Sequence, residues 1–234
     1  MMTVKSFAIA SVLAFSTLAL TAEASQTWTV TTQGHIRAGI DWTGVFGTAG
    51  QNLNGLSFTQ SVTASTDRAQ WTSGSNGSDY QNLAGDGPAF TDTVTINGHS
   101  VTFRSASTSS RQQYIADDTS HGSPHGFVDY IFSGQQGHTA AGDEFTSDQT
   151  VHSETSAFVG TADFTRKISQ DTSGPSFSSL SYFSISGSQD AYFGATVDFL
   201  TVNGVTISAV PEPENYAMLL AGLALMGFVA RRKT

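Results

Sequence analysis

The chain of 234 residues contains no cysteine. That excludes a disulfide scaffold, a cysteine-liganded zinc site and any thiol nucleophile. Charge is scarce as well: Asp, Glu, Lys and Arg make up 12%, against roughly 25% in ordinary domains. Basic residues are the scarcest, 10 Lys and Arg against 19 Asp and Glu, for a net charge of −9. Between residues 25 and 210 they are Arg37, Arg68, Arg104, Arg111, Arg166 and Lys167, set against 16 acids. This argues against nucleic acid as a partner, because neutralising phosphates takes clustered cations. Leucine is also rare there, with five residues against 13 phenylalanines and 54 serines and threonines. That is a strand composition and not a helical one. No charge-bearing segment of that stretch has the 3.6-residue period of a surface helix.

The two long apolar runs of the chain lie at its ends. Lys5 precedes an uncharged run from Phe7 to Leu20, and Ala22-Glu23-Ala24 follows. A basic start, an apolar stretch and a small-x-small tripeptide form a secretory signal, cleaved by signal peptidase after Ala24. An exported chain without cysteine points to a bacterial envelope. At the other end Val210-Pro211-Glu212-Pro213 leads into an apolar run, 216–230, closed by Arg231-Arg232-Lys233. Fifteen residues fall short of the ~20 that cross a bilayer comfortably, so this is a marginal transmembrane helix. Its basic end would stay in the cytoplasm and leave the body outside.

The order of Pro-Glu-Pro, short apolar helix and Arg-rich terminus resembles the PEP-CTERM sorting signal of Gram-negative bacteria, a tail also labelled an ice-binding protein C-terminal domain. The resemblance rests on Pro211, Glu212, Pro213, the run 216–230, Arg231 and Arg232. It implies that the chain is an exosortase substrate. A membrane-embedded cysteine transpeptidase would cut near Pro-Glu-Pro and release the body or attach it outside. It also implies bacteria that build exopolysaccharide. A second segment, Asp41-Trp42-Thr43-Gly44-Val45-Phe46-Gly47 with Gly50, Leu53, Gly55 and Phe58, is similar to one found near the mature N-terminus of many PEP-CTERM proteins. It implies no chemistry, and its residues read as a glycine-shaped loop plugged into the core by Phe46.

The body, 25–210, alternates with period two at Thr27–Thr31. Thr93–Ile96, Asn97-Gly98 and Ser100–Phe103 form a hairpin with a type I′ turn signal, and Phe199–Val202, Asn203-Gly204 and Val205–Ile207 form another. Further strands are expected at Leu56–Ala64, Gly126–Phe132, Ser156–Thr165, Leu180–Ser186 and Ala191–Phe199. Long polar loops are expected at 66–88, 105–125, 134–150 and 170–178. No linker divides the body, which reads as a single all-β domain, a β-sandwich or jelly roll.

Chemistry is hard to find. His121 and His125 are four apart, but Gly122, Ser123 and Pro124 between them break the helix that zinc spacing needs. Asp117, Asp118 and Asp129 flank them, and a loop metal remains an option. Asp143-Glu144 and Asp117-Asp118 would suit calcium or a glycosidase pair, yet match no calcium-loop pattern. Adjacent acids in such loops are more often solvated. His35, His99, His138 and His152 have no distinctive companions, and no Gly-x-Ser-x-Gly elbow is present. Trp28, Trp42, Trp71, Tyr80 and Tyr114 read as aromatics that hold loops down, with Trp71 and Tyr80 the candidates for a sugar platform. Threonine shows no sustained repeat of the kind a flat ice-binding array needs. The expectation is an exported, non-enzymatic cell-surface or matrix protein that needs no cofactor. The alternative is a secreted carbohydrate-binding module, calcium-assisted or not. A secreted hydrolase ranks third.

Overall fold

The computed structural model describes residues 27–76, 79–87, 90–105, 108–117 and 129–204. The signal segment, the tail from Pro211 onward with its apolar run, and Asp118, His121 and His125 lie outside the described residues. The described residues form β1 (Thr27–Asp41), β2 (Gln51–Asn52), β3 (Ser57–Ser65), β4 (Ser73–Asn76), β5 (Tyr80–Gly87), β6 (Phe90–Ile96) and β7 (His99–Ser105). They continue as β8 (Thr108–Asp117), β9 (Asp129–His138), β10 (Glu144–Ser153), β11 (Ile168–Asp171), β12 (Phe177–Ser186) and β13 (Ala191–Val202). One 3-10 turn, Arg68–Gln70, is the only helical element among them.

The all-β expectation holds, and the architecture refines it. The strands are hydrogen-bonded into one antiparallel sheet in the order β4-β5-β8-β9-β10-β12-β13-β1-β3-β6-β7, with β11 on β13 and β2 on β1. The sheet curls until its two halves face each other. Phe90 of β6 meets Phe145 of β10 at 5.1 Å, and Phe103 of β7 meets Phe183 of β12 at 4.9 Å. The sandwich-like core therefore comes from one sheet folded over itself, not from two sheets. Phenylalanine fills this space because its large flat side chain spans the gap and packs edge to face with its neighbours. Phe46, Phe58, Phe183 and Phe193 continue the cluster, all buried.

The first and last described strands pair, Val30 with Val202 and Asp41 with Ala191, so the two ends of the body emerge at one pole. Asn203 fixes that pole: its Oδ1 accepts from the Thr29 amide at 3.0 Å and its own amide donates to the Thr29 carbonyl at 2.8 Å. Asn97 and Asn203 both adopt positive φ, 50° and 48°, as the turn signals required. The return strand 205–207 of the second hairpin lies outside the described residues.

Several sequence expectations are corrected. Ser156–Thr165 is not a strand. It is irregular chain, pinned by the Asp129 carboxylate on Val159, by Gln81 on Phe164 and by Asn203 on Arg166. The strand placed at Gly126–Phe132 is found at Asp129–His138. Three of the four polar loops contain strands: β4 and β5 lie within 66–88, β8 takes 108–117 of 105–125, and β9 and β10 take most of 134–150.

Candidate functional site

The acids singled out by the sequence are mostly bound to backbone. Asp41 is fully buried, and its carboxylate accepts from the amides of Gly44 (2.8 Å), Val45 (2.8 Å) and Phe46 (2.7 Å). Gly44 makes the loop feasible, since its φ of +84° would strain any residue with a side chain. The structural reading of this segment is thereby supported: three amide donors are spent on one carboxylate, and Phe46 plugs the core. Asp129 accepts from Val159 at 2.5 Å and from Phe158. Asp143 accepts from the Ser188 hydroxyl at 2.9 Å and from the Ser188 amide. The Ser188 hydroxyl bond, with backbone and Thr139 bonds beside it, holds the Asp143 carboxyl below its usual range. Glu144 is exposed and accepts from Gln136 at 2.6 Å. Among the described residues no three His, Asp or Glu side chains converge where a metal ion would be held.

Asp92 is different. It lies on β6, points into the core, and receives Gln60 Nε2 at 2.8 Å. Burial pushes its carboxyl up to about 7, against the partial opposition of Gln60 and Ser147. Gln60 sits at the centre of a buried polar cluster joining the two halves of the sheet. Its Nε2 also reaches Ser147 at 2.9 Å, and its Oε1 accepts from Ser181. Its carbonyl accepts from Gln149 Nε2 at 2.9 Å, which also reaches Thr32 at 3.0 Å. The cluster extends into a row of buried partners in register, Gln113, Ser133, Gln149 and Ser181 on β8, β9, β10 and β12.

Outside, the two halves present different chemistry. On β1, β3, β6 and β7 most outward residues are hydroxyls, with His35, Arg37 and Arg104 exposed among them. Register aligns Ser169, Thr201, Thr31, Ser61, Thr93 and Thr102 in one row across six strands. Neighbours pair, Thr29 with Thr63 at 2.9 Å and Thr93 with Thr102 at 3.0 Å. A groove of about 620 Å³ runs over this face, with no charged residue among its lining. Phe164, Thr165 and the Asn203–Gly204 turn bound it, so the surface is concave and not flat. The sequence showed no threonine repeat because the array runs between strands.

On β5, β8 and β9 the outward positions include four aromatic residues, Tyr80, Tyr114, Tyr130 and Phe132, beside Thr150 and His152 of β10. Tyr80 is 39% exposed and lies 5.9 Å from Tyr114 with 21° between the rings. Tyr114 meets Tyr130 at 5.4 Å, and Tyr130 lies nearly parallel to Phe132, 8° between planes at 6.3 Å. Burial raises the Tyr114 phenol, with Tyr80 adding to it, and raises that of Tyr130, with Tyr114 and Asp148 adding to it. Of the aromatics weighed from sequence, Trp28 and Trp71 are core residues, and Trp71 also donates to the Ser65 carbonyl at 3.1 Å. Trp71 holds its loop down as the sequence reading favoured, so the alternative, a sugar platform of Trp71 and Tyr80 together, is absent, and Tyr80 belongs to a strand-borne strip. Trp42 is 47% exposed beside Tyr192 at 5.3 Å, at the pole opposite Asn203. His35 bonds Asp198 at 2.6 Å, His99 and His138 are exposed, and His152 packs against Tyr130 at 6.0 Å. Sequence reasoning missed Tyr130, Phe132, Gln60 and Asp92. The pattern Tyr130-x-Phe132-x-Gly134 resembles any half-buried strand until register shows which side faces water.

The PEP-CTERM protein-sorting motif matches residues 209–233. The match contains Pro211, Glu212, Pro213, Arg231 and Arg232, and it implies exosortase-dependent export to the cell surface. No curated protein and no solved structure matches the chain.

Proposed function

We propose that this chain is a non-enzymatic surface or matrix protein, held at the inner membrane by residues 216–230 until exosortase removes the tail. The sorting motif carries this reading. It begins five residues after Gly204, so its start lies within about 18 Å of the body's tethered pole. Before cleavage that pole faces the membrane and the Asp41–Phe46 loop with Trp42 points away. The buried acids support a non-enzymatic role, because the carboxylates of Asp41, Asp129 and Asp143 serve as loop anchors. An acidic, hydroxyl-rich exterior suits a hydrated component in contact with exopolysaccharide.

The test is the intact mass of the protein recovered from its native host, with both terminal peptides sequenced. A chain from Ser25 to the neighbourhood of Pro211 is expected, with any added mass identifying its anchor. A chain ending at Thr234 would reduce the tail to a plain membrane anchor. Replacing Pro211, Glu212 and Pro213 by alanine should preserve export and stop cleavage.

A further inference from the structure

The aromatic strip consists of two adjacent registered rows. One runs Tyr80, Ala116, Tyr130, His152, and the other Asn82, Tyr114, Phe132, Thr150. Each crosses β5, β8, β9 and β10, three strand spacings or about 14 Å. Ala116, between Tyr80 and Tyr130, is fully buried. At Gly134 a Cβ would lie 2.5 Å from the Phe132 Cζ and 2.8 Å from Cε1. The Phe132 ring therefore lies along the strand, over the place where a side chain would be. Tyr130 is nearly parallel to it. Phe132 and Tyr130 laid down in this way offer their faces outward, Tyr114 and Tyr80 form a second stacked pair with Tyr114 at 61° to Tyr130, and a side chain at 134 would displace the ring of Phe132.

We infer that this strip binds a neutral polysaccharide chain. The inference rests on the reading of the protein as an exported surface component, and it specifies what that surface holds. Sugar rings have apolar C–H faces that lie on aromatic faces, and hydroxyl rims that need hydrogen-bonding groups alongside. Both are present. Gln112 and Asn82 bond each other at 2.7 Å beside Tyr114, leaving amide groups to spare, and Thr150 and His152 continue the two rows. The strip's length selects a chain over a single sugar. Its charge selects a neutral one: Asp148 acts on Tyr130, and no described side chain of either row is a lysine or arginine. Asn82, Thr150 and His152 end the two rows with polar groups, and three of the four rings carry a phenol hydroxyl, where a protein-binding patch of this size would have a drier apolar centre. The exposed aliphatic side chain beside it, Leu180 at 43%, lies beyond Thr150 at the margin.

Protein recovered from cells expressing the full chain would be run through native gels containing hydroxyethylcellulose, laminarin or galactomannan, all neutral, or anionic alginate. At least one neutral polymer should retard it, and alginate should not. Tyr80→Ala and Tyr114→Ala should each weaken binding about tenfold, the scale of one lost ring contact. Tyr80→Phe should bind as the parent does, because the face and not the phenol is used. Gly134→Val should weaken binding with every ring retained. Tyr80 is at the exposed end of the strip, so Tyr80→Ala carries the test if Tyr114→Ala fails to fold. The inference is overturned if no neutral polymer retards the parent, if alginate retards it equally, or if Tyr80→Ala binds undiminished. A dimer in light scattering that Tyr80→Ala dissociates would assign the face to a second copy and overturn it as well. Failure of the surface reading would show separately, in the intact mass.

Discussion

The two halves of the sheet are built on opposite plans. On β1, β3 and β6 the inward positions are apolar for most of their length, with Trp28, Val30, Phe58, Val62, Val94 and Ile96, and the outward positions are threonine and serine. On β8, β9 and β10 the middle of the inner face is polar, with Gln113, Ser133, Gln135, Ser147 and Gln149. The outer face there carries Tyr114, Tyr130 and Phe132. Either plan makes a strand, because the backbone ladder is the same; Gln149 Nε2 is hydrogen-bonded twice, while both side-chain polar atoms of Gln113 are buried without a partner among the described residues, a cost that this half carries. The difference lies in what each half offers the solvent. One shows a field of hydroxyls with a groove whose lining carries no charge, the other a strip of rings.

The sharpest way to break this arrangement is at Gln60, where the halves are joined. Gln60→Leu removes one hydrogen bond from each of Asp92, Ser147 and Ser181 and leaves them buried, with Ser147 still on Asp92 and Thr32 still on Ser181. A loss of about 4 kcal/mol is expected in urea unfolding, at roughly 1–1.5 kcal/mol per lost bond. A loss below about 1 kcal/mol would show that the polar cluster does not hold the halves together.

The next effect is a pH dependence. Asp92 keeps its proton to about pH 7 in the folded state but releases it near 3.8 when unfolded. Between those values the folded state binds more protons, so stability falls as pH rises, by about 4 kcal/mol in all, and levels off above 7. Asp92→Asn should flatten that slope, and an unchanged slope would assign it to other groups. Asp41 supplies the contrast, being held by backbone amides. Asp41→Ala should cost about 3 kcal/mol through its three charge-assisted bonds, measured as a fall in Tm. The smallest effect belongs to the hydroxyl face. Thr93→Val keeps the β-branched shape and loses one exposed hydrogen bond to Thr102, so less than about 0.5 kcal/mol is expected. A larger loss would show that hydroxyl pairing stabilises that half.

The half with the conventional plan was the legible one. Thr27–Thr31, Leu56–Ala64 and the hairpin around Asn97-Gly98 were found because alternation and turn residues agree there. The loops placed at 66–88, 105–125 and 134–150 were misread for one physical reason. Ser73-Gly74-Ser75 of β4 and Gln149 of β10 put polar side chains where the period-two pattern expects apolar ones. Without apolar alternation such strands look like loops. Ser156–Thr165 failed in the opposite direction. Phe158, Val159, Ala162 and Phe164 suggest a strand, but they are buried as the lining of an irregular segment tied down by Asp129, Gln81 and Asn203. The loop at Asp41 was legible down to its glycines, because an acid followed by Gly44 and Gly47 is a local arrangement.

The sequence by itself determined the export address, the all-β composition and the glycine-shaped loop at Asp41. Each is written in contiguous residues, and the machinery or backbone that reads it needs no distant partner. Only the tertiary structure decided that six hydroxyls form one row, that Tyr80 and Phe132 share a strip, and that Asp92 sits beneath Gln60. Most of those neighbours are distant in the chain, Thr31 from Ser61 by 30 residues and Gln60 from Asp92 by 32, and strand register is what brings them together. A shift of one residue in that register would turn every ring inward and every buried glutamine out to water.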